Sequence, residues 1–147
     1  IGGAPYTGGS SRYRIAADYG TSIFQGDMVA QVTGGTVEVH ADGGTVPIVG
    51  VFNGCQYTDP TTKEQVFSNF YPASTNASDI IAFIIDDPNV VFEVQCNAAF
   101  PIADLFGNFD IVDQSTTGDN DDVSSDATNV YVVIQNHIFG VKGAGLA

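Results

Sequence analysis

The chain has 147 residues, of which 44% are hydrophobic and only 14% are charged. This length fits a single domain, and so low a charged fraction indicates a surface that is neutral or covered by partners. Seventeen acidic residues against four basic ones give a formal net charge of −13, which argues against binding to nucleic acid and to anionic membranes. The same charge favours simple solubility, a basic partner surface, or repulsion that keeps free subunits apart.

The beginning of the chain predicts an arm followed by a strand. Residues 1–11 are rich in glycine and poor in anchoring side chains, so we expect an extended N-terminal arm there and one domain over residues 12–147. Polar and apolar residues alternate over residues 12–16, as they do in a half-buried strand.

A glycine pair marks the clearest hairpin. Gly34 and Gly35 separate two strand-like segments, residues 27–33 and 36–40, which is typical of a two-residue hairpin turn. Residues 46–52 are almost entirely apolar and predict a central strand.

The next segment predicts a strand and a loop. Within residues 65–71 we expect Val66, Phe70 and Tyr71 to pack into the core. Residues 72–79 are polar and predict a loop.

The last elements complete an all-β pattern. Residues 80–85 and 90–96, rich in β-branched and aromatic residues, flank the turn-like residues 86–89 and predict a second hairpin. Residues 101–107 fit one helical turn, and residues 130–138 predict the final strand. Because apolar residues never keep a helical spacing beyond a turn or two, the sequence predicts a single β-barrel or a sandwich-like domain.

Catalytic motifs are missing from the sequence. Neither His40 nor His137 belongs to a pattern such as H-E-x-x-H, so a structural role is favoured for both. The nucleophile-elbow pattern G-x-S-x-G fails around Ser10, because Arg12 stands in the last position. We therefore expect no catalytic residues and no cofactor.

One acidic segment is the only plausible metal site in the sequence. Carboxylate and amide oxygens cluster in Asp119, Asn120, Asp121 and Asp122, with Asp126 close behind, and such oxygens suit Ca²⁺. The EF-hand spacing fails because the glycine and the closing glutamate are absent. A solvated acidic loop is the favoured interpretation, and calcium is the alternative.

Few features of the sequence indicate a compartment. Cys55 and Cys96 are too far apart for a C-x-x-C motif, and both fit core positions, while a disulfide between them stays open. The longest apolar run, residues 80–85, is far too short to span a membrane. Residues 76–78 form a formal glycosylation sequon without any other sign of secretion, and the start at Ile1 leads us to expect sequence upstream of it.

A family pattern runs through five segments of the chain, residues 13–16, 23–29, 47–59, 65–72 and 85–95. These segments resemble tailed-bacteriophage virion structural proteins. The elements GDMV and PIVGV within them also resemble capsid decoration (cement) proteins, and the similarity extends over roughly residues 12–138.

The resemblance implies a β-barrel that binds the outer surface of a phage head, often as a homotrimer, and stabilises the lattice of the major capsid protein. Such proteins have no catalytic residues, and their short N-terminal arms reach a neighbouring subunit, which would match residues 1–11. We expect a virion location, with the major capsid protein and further copies of this chain as partners.

Two other classes of function stay open. One is a different virion component, such as a tail or head-fibre protein. The other is a glycan- or receptor-binding β-module, for which exposed tyrosines would be the anchors: Tyr6, Tyr19, Tyr57 and Tyr71. An enzyme is the least favoured class.

Overall fold

The computed structural model describes residues 8–40, 46–95 and 131–135, and this part of the chain is all-β, with ten strands and no helix. The strands are β1 (Ser11–Arg14), β2 (Ile23–Phe24), β3 (Met28–Val32), β4 (Thr36–Val39), β5 (Ile48–Thr58), β6 (Gln65–Ser68), β7 (Phe70–Tyr71), β8 (Ile81–Ile85), β9 (Val91–Gln95) and β10 (Tyr131–Gln135).

The main sheet closes into a five-stranded barrel. Its strand order is β3-β4-β1-β8-β5, and β5 pairs back onto β3, so the sheet returns to its starting strand. β1 and β4 run parallel, while the other pairs in the barrel are antiparallel. β6 continues the sheet from β5. The predicted all-β barrel is confirmed, and closure decides between a barrel and a sandwich.

Closure depends on two irregularities and on close approach at Gly50. The register shifts between Val29 and Ala30 where β3 meets β5, and again between Phe52 and Gly54 where β5 meets β8. A Cβ at Gly50 would overlap the carbonyl oxygen of Ile85 and lie 2.7 Å from Cγ2 of Ile84. Only glycine fits at position 50 without a shift of these atoms. Bulges and close backbone contacts of this kind bend a sheet, which allows it to close around a narrow core.

The barrel interior is filled by one apolar cluster. Phe52 and Ile84 face each other across β5 and β8, and both are fully buried together with Val29 and Val37 from the first hairpin. Complete burial of each such side chain stabilises the fold by roughly 1.5–3 kcal/mol.

One end of the barrel is closed by two tyrosines. β2 pairs with β7, and this places the fully buried Tyr71 against Tyr19, with the ring centroids 6.1 Å apart. The Tyr71 hydroxyl donates a hydrogen bond of 3.1 Å to the Tyr19 carbonyl oxygen. The N–H of Ser74 donates to the same oxygen over 2.7 Å. The loop after β7 is therefore fixed to the segment that leads into β2.

The hairpin at Gly34 and Gly35 is confirmed, since β3 and β4 pair antiparallel around these residues, which both have positive φ angles. The central strand is also confirmed. It begins at Ile48, one residue after Pro47, and continues to Thr58.

The second predicted hairpin is wrong. The turn forms, because Val90 donates to the Asp87 carbonyl oxygen, but β8 pairs with β1 and β5 while β9 pairs with β10. The reason lies in β8 itself: its run of apolar residues buries Ala82, Ile84 and Ile85, and the strand takes a central place in the sheet between β1 and β5. Asp86 then links the end of β8 to β1.

The predicted packing after residue 64 is partly wrong. Tyr71 is fully buried and Val66 packs against the core, but Phe70 is 40% exposed and instead stacks on Phe24, with 6.0 Å between the ring centroids. The two-residue strands β2 and β7 put both phenylalanines on the outward side.

Several sequence predictions fall outside the described residues. They concern the arm up to residue 7, Cys96, the helical turn at 101–107, the acidic segment Asp119–Asp126 and His137.

Replacing Gly50 by alanine should lower the free energy of unfolding by about 1–3 kcal/mol, because the added methyl group overlaps backbone atoms of β8. The matched control is Gly20→Ala, since a Cβ there meets nothing within 4 Å. Urea denaturation of both variants measures the difference. Equal stability of the two variants would contradict the role given to Gly50 in closure.

Candidate protein-docking face

The outer side of four neighbouring strands carries a mixed basic and apolar surface. Strand pairing places Arg12 opposite Phe83 and Arg14 opposite Ile81. We call the six outward side chains of these rows the arginine–phenylalanine face: Arg12, Arg14, Gln56, Phe67, Ile81 and Phe83.

The second half of this face follows from β5 and β6. Gln56 lies opposite Ile81 on one side and opposite Phe67 on the other, so one row crosses β1, β8, β5 and β6. At about 4.8 Å between strands, this row is about 14 Å wide.

Alternation along the strands is what turns these side chains outward. In β1 the arginines are exposed, whereas Ser11 before Arg12 and Tyr13 between the two arginines are partly buried. In β8 the partly exposed residues alternate with the buried Ala82 and Ile84. Because directly opposite residues in a sheet share a face, exposed positions on one strand meet exposed positions on the next.

The face exposes apolar area beside a positioned cation. Phe67 is 66% exposed, the largest exposure among the large hydrophobic side chains that the structure describes. The Arg12 guanidinium lies over the Phe83 ring, 5.9 Å from its centroid, at a cation–π distance. Next to Phe83 on β5 stands Gly54, which has no side chain to cover the ring.

The distribution of charge makes this face unusual for the chain. Arg12 and Arg14 are half of the basic residues in a sequence with four, and they stand two positions apart on the same side of β1. None of the six face residues is acidic. An apolar, cationic face on a strongly acidic protein has the composition of a protein-recognition surface, in which aromatic residues and arginine are enriched.

Asp86 holds one end of the barrel together. Its two carboxylate oxygens accept hydrogen bonds from the Ser11 hydroxyl at 2.9 Å and from the Tyr13 hydroxyl at 2.8 Å. Burial raises the pKa of Tyr13, and the hydrogen bond to Asp86 and the charge of that carboxylate raise it further. A groove of about 380 Å³ opens beside the pair, and its remaining lining comes from the end of β3 and from residues 46–49.

Asp27 is a buried carboxylate with a structural partner. Its Oδ2 accepts a hydrogen bond of 2.7 Å from the Phe24 N–H, and its own backbone N–H donates to the Phe24 carbonyl oxygen. Burial raises the pKa of Asp27, while the bond from Phe24 opposes that rise. Both polar contacts close the turn between β2 and β3, so this carboxylate stabilises a turn.

Two further candidate residues also lie in the core region. His40 is buried, and its Nε2 lies 3.0 Å from the carbonyl oxygen of Val46. Cys55 is a buried free thiol that donates to the Phe70 carbonyl oxygen, and burial raises its pKa to about 11. Within the described part of the chain, no three histidine, cysteine or acidic side chains form a group that could hold a metal ion.

The tyrosines proposed as glycan anchors are not exposed as expected. Tyr71 is fully buried, Tyr57 is 8% exposed, and Tyr19 is partly buried against the core. Tyr6 lies outside the described residues. The three described rings fill and close the barrel, so they offer no flat surface to a sugar.

Comparison with known proteins identified no relative. No family model, no curated protein and no solved structure matches the chain. The described residues include no helix long and apolar enough to cross a membrane.

The arginine–phenylalanine face was not recognised from the sequence, although part of its signal was present. Phe67 stands between the inward positions Val66 and Ser68, and alternation alone turns it outward. The arginines share a face with Phe67 because the strand order is β1-β8-β5-β6. The predicted pairing of β8 with β9 does not give this order.

Stability should depend on pH through Asp27. Because its folded pKa is raised, the stability that this group contributes is fully present below the unfolded pKa and is lost as the pH rises through the folded value. Asp27→Asn keeps an acceptor oxygen for Phe24 but cannot ionise. We therefore expect the stability of this variant relative to the parent to increase as the pH rises from about 3 to about 7. Chemical denaturation at both pH values tests this, with Asp18→Asn at an exposed carboxylate as the control. A difference from the parent that does not vary with pH would refute the assignment.

Proposed function

We propose that this chain is a capsid decoration protein that binds the outer surface of a tailed-phage head and stabilises the lattice of the major capsid protein. The arginine–phenylalanine face is the observation that carries the proposal. A rigid barrel presents Phe67, Ile81 and Phe83 beside two exposed arginines, which fits a stable contact with another protein. The resemblance of the chain to phage virion proteins supplies the identity of that partner.

The fold suits a protein that acts by binding alone. The buried carboxylate, thiol and histidine described above each bond to a backbone atom, of Phe24, Phe70 and Val46 respectively. We propose no catalytic role, no cofactor, and no nucleic-acid or membrane partner. The protein would lie on the outer surface of the virion.

Stabilisation would arise by linkage. A subunit that binds the assembled lattice but not free coat subunits raises lattice stability by mass action. We propose that it binds as a homotrimer, because three linked contacts multiply a weak affinity through effective concentration.

The first test uses phage heads assembled without this protein. Adding the purified chain should raise the temperature at which the heads disrupt, as measured by differential scanning calorimetry. Equal midpoints for bare and decorated heads would refute the proposal. Immunogold labelling of complete virions separates the head surface from the alternative location in a tail or head fibre.

Phe67→Ala should weaken binding to the heads by at least roughly tenfold, because a largely exposed aromatic ring that becomes buried against a partner is a typical hot spot. Cosedimentation measures the affinity. The matched control is Val46→Ala, since Val46 is 49% exposed but lies beside the groove, outside the face. Both residues are exposed, so both variants should fold like the parent. Equal losses in the two variants would place the contact elsewhere.

A further inference from the structure

We infer that the partner surface which covers the arginine–phenylalanine face presents carboxylates to Arg12 and Arg14 around an apolar centre. This inference rests on the proposed docking function and specifies the chemistry of the partner. The overall charge of the chain would favour a basic partner, so the local arrangement reverses the expectation from composition.

The first step is the local sign of the charge. Arg12 and Arg14 are exposed on β1, and the row that continues from Arg14 runs through Ile81, Gln56 and Phe67 without a carboxylate. A basic partner surface placed here would bury like charges against each other, which is strongly unfavourable at an interface.

One carboxylate at the border of the face, Asp79, is already engaged. Asp79 accepts hydrogen bonds from the Thr58 hydroxyl at 2.6 Å and from the Thr58 N–H at 3.2 Å. These two bonds lower the pKa of Asp79, so it is ionised at neutral pH but directed towards Thr58. Asp79 is therefore paired with Thr58 and not with Arg12 or Arg14.

The second step is the geometry of Arg12. Its guanidinium lies over the Phe83 ring, 5.9 Å from the centroid, and this contact restricts a flexible side chain on the exposed side of β1. A guanidinium presented in this way donates two parallel hydrogen bonds to one carboxylate, a geometry that lysine does not reproduce.

The third step separates a protein from other anionic partners. The two arginines would also attract phosphate, but the net charge of −13 repels a nucleic acid or an anionic membrane at longer range. Phe67 and Ile81 in the same row require an apolar counterpart, which a phosphate backbone lacks. A protein surface with carboxylates around apolar side chains matches both parts of the face.

The test compares three single variants in binding to phage heads. Arg12→Gln and Arg14→Gln each remove one charge from the face, and Lys63→Gln removes one charge from the exposed turn between β5 and β6. We expect each arginine variant to lose roughly tenfold in affinity at about 50 mM salt, and less at about 300 mM, because salt screens exposed charges. Lys63→Gln should bind like the parent in both salts.

Arg12→Lys isolates the geometric claim. It keeps the charge but loses the paired donors, so it should lose affinity with little change in salt dependence. Unfolding curves of all variants check that the barrel is intact, which we expect because the substituted side chains are exposed.

The outcomes distinguish the inference from the proposed function. If the parent protein does not bind heads, the proposed function fails. If the parent binds and both arginine variants bind equally well or more tightly, only the inference fails. A change in oligomeric state without a change in head binding, measured by analytical ultracentrifugation, would show that a second copy of the chain covers the face and would also overturn it.

Discussion

Closure of the barrel between β3 and β5 is the constraint on which the other features depend. β5 lies between β8 and β3 at this point: it approaches β8 closely at Gly50, and its register shifts against β8 beside Gly54 and against β3 at Val29 and Ala30. Without this contact the sheet would keep two open edges and expose the buried side chains of Phe52 and Ile84. A closed sheet instead fixes which side of every strand faces water.

Because the orientation of each strand is fixed, a small number of outward residues is enough to form a binding surface. In a closed barrel the inner positions must be apolar and small enough to fit, so the outer positions alone are free to vary. Arg12 and Arg14 alternate with the inward Tyr13, whose hydroxyl is held by Asp86. The same hydrogen bond that anchors β1 to the end of β8 therefore also sets the direction of the two arginines.

Local patterns in the sequence predicted local structure well. The turn at Gly34 and Gly35 requires positive φ angles, and the strand after Pro47 follows from its apolar run, so both could be recognised without knowledge of the fold. The partners of β8 could not. An apolar run predicts a strand in the middle of a sheet but does not show which strands pair with it. By distance along the sequence β9 is the simplest partner, whereas the structure pairs β8 with β1 and β5.

Composition and the candidate site also carry different kinds of information about charge. Net charge is a sum over the sequence and predicts the long-range field, whereas recognition depends on the few charges that share one surface. Arg12 and Phe67 are 55 positions apart in the sequence, and only the order β1-β8-β5-β6 puts them on one face. An acidic protein with a local cationic face can resist non-specific association through its net charge and still dock in a defined orientation. For the proposed decoration function, that combination would favour binding to an assembled lattice over aggregation of free subunits, because only the correct orientation brings the arginines to their partners.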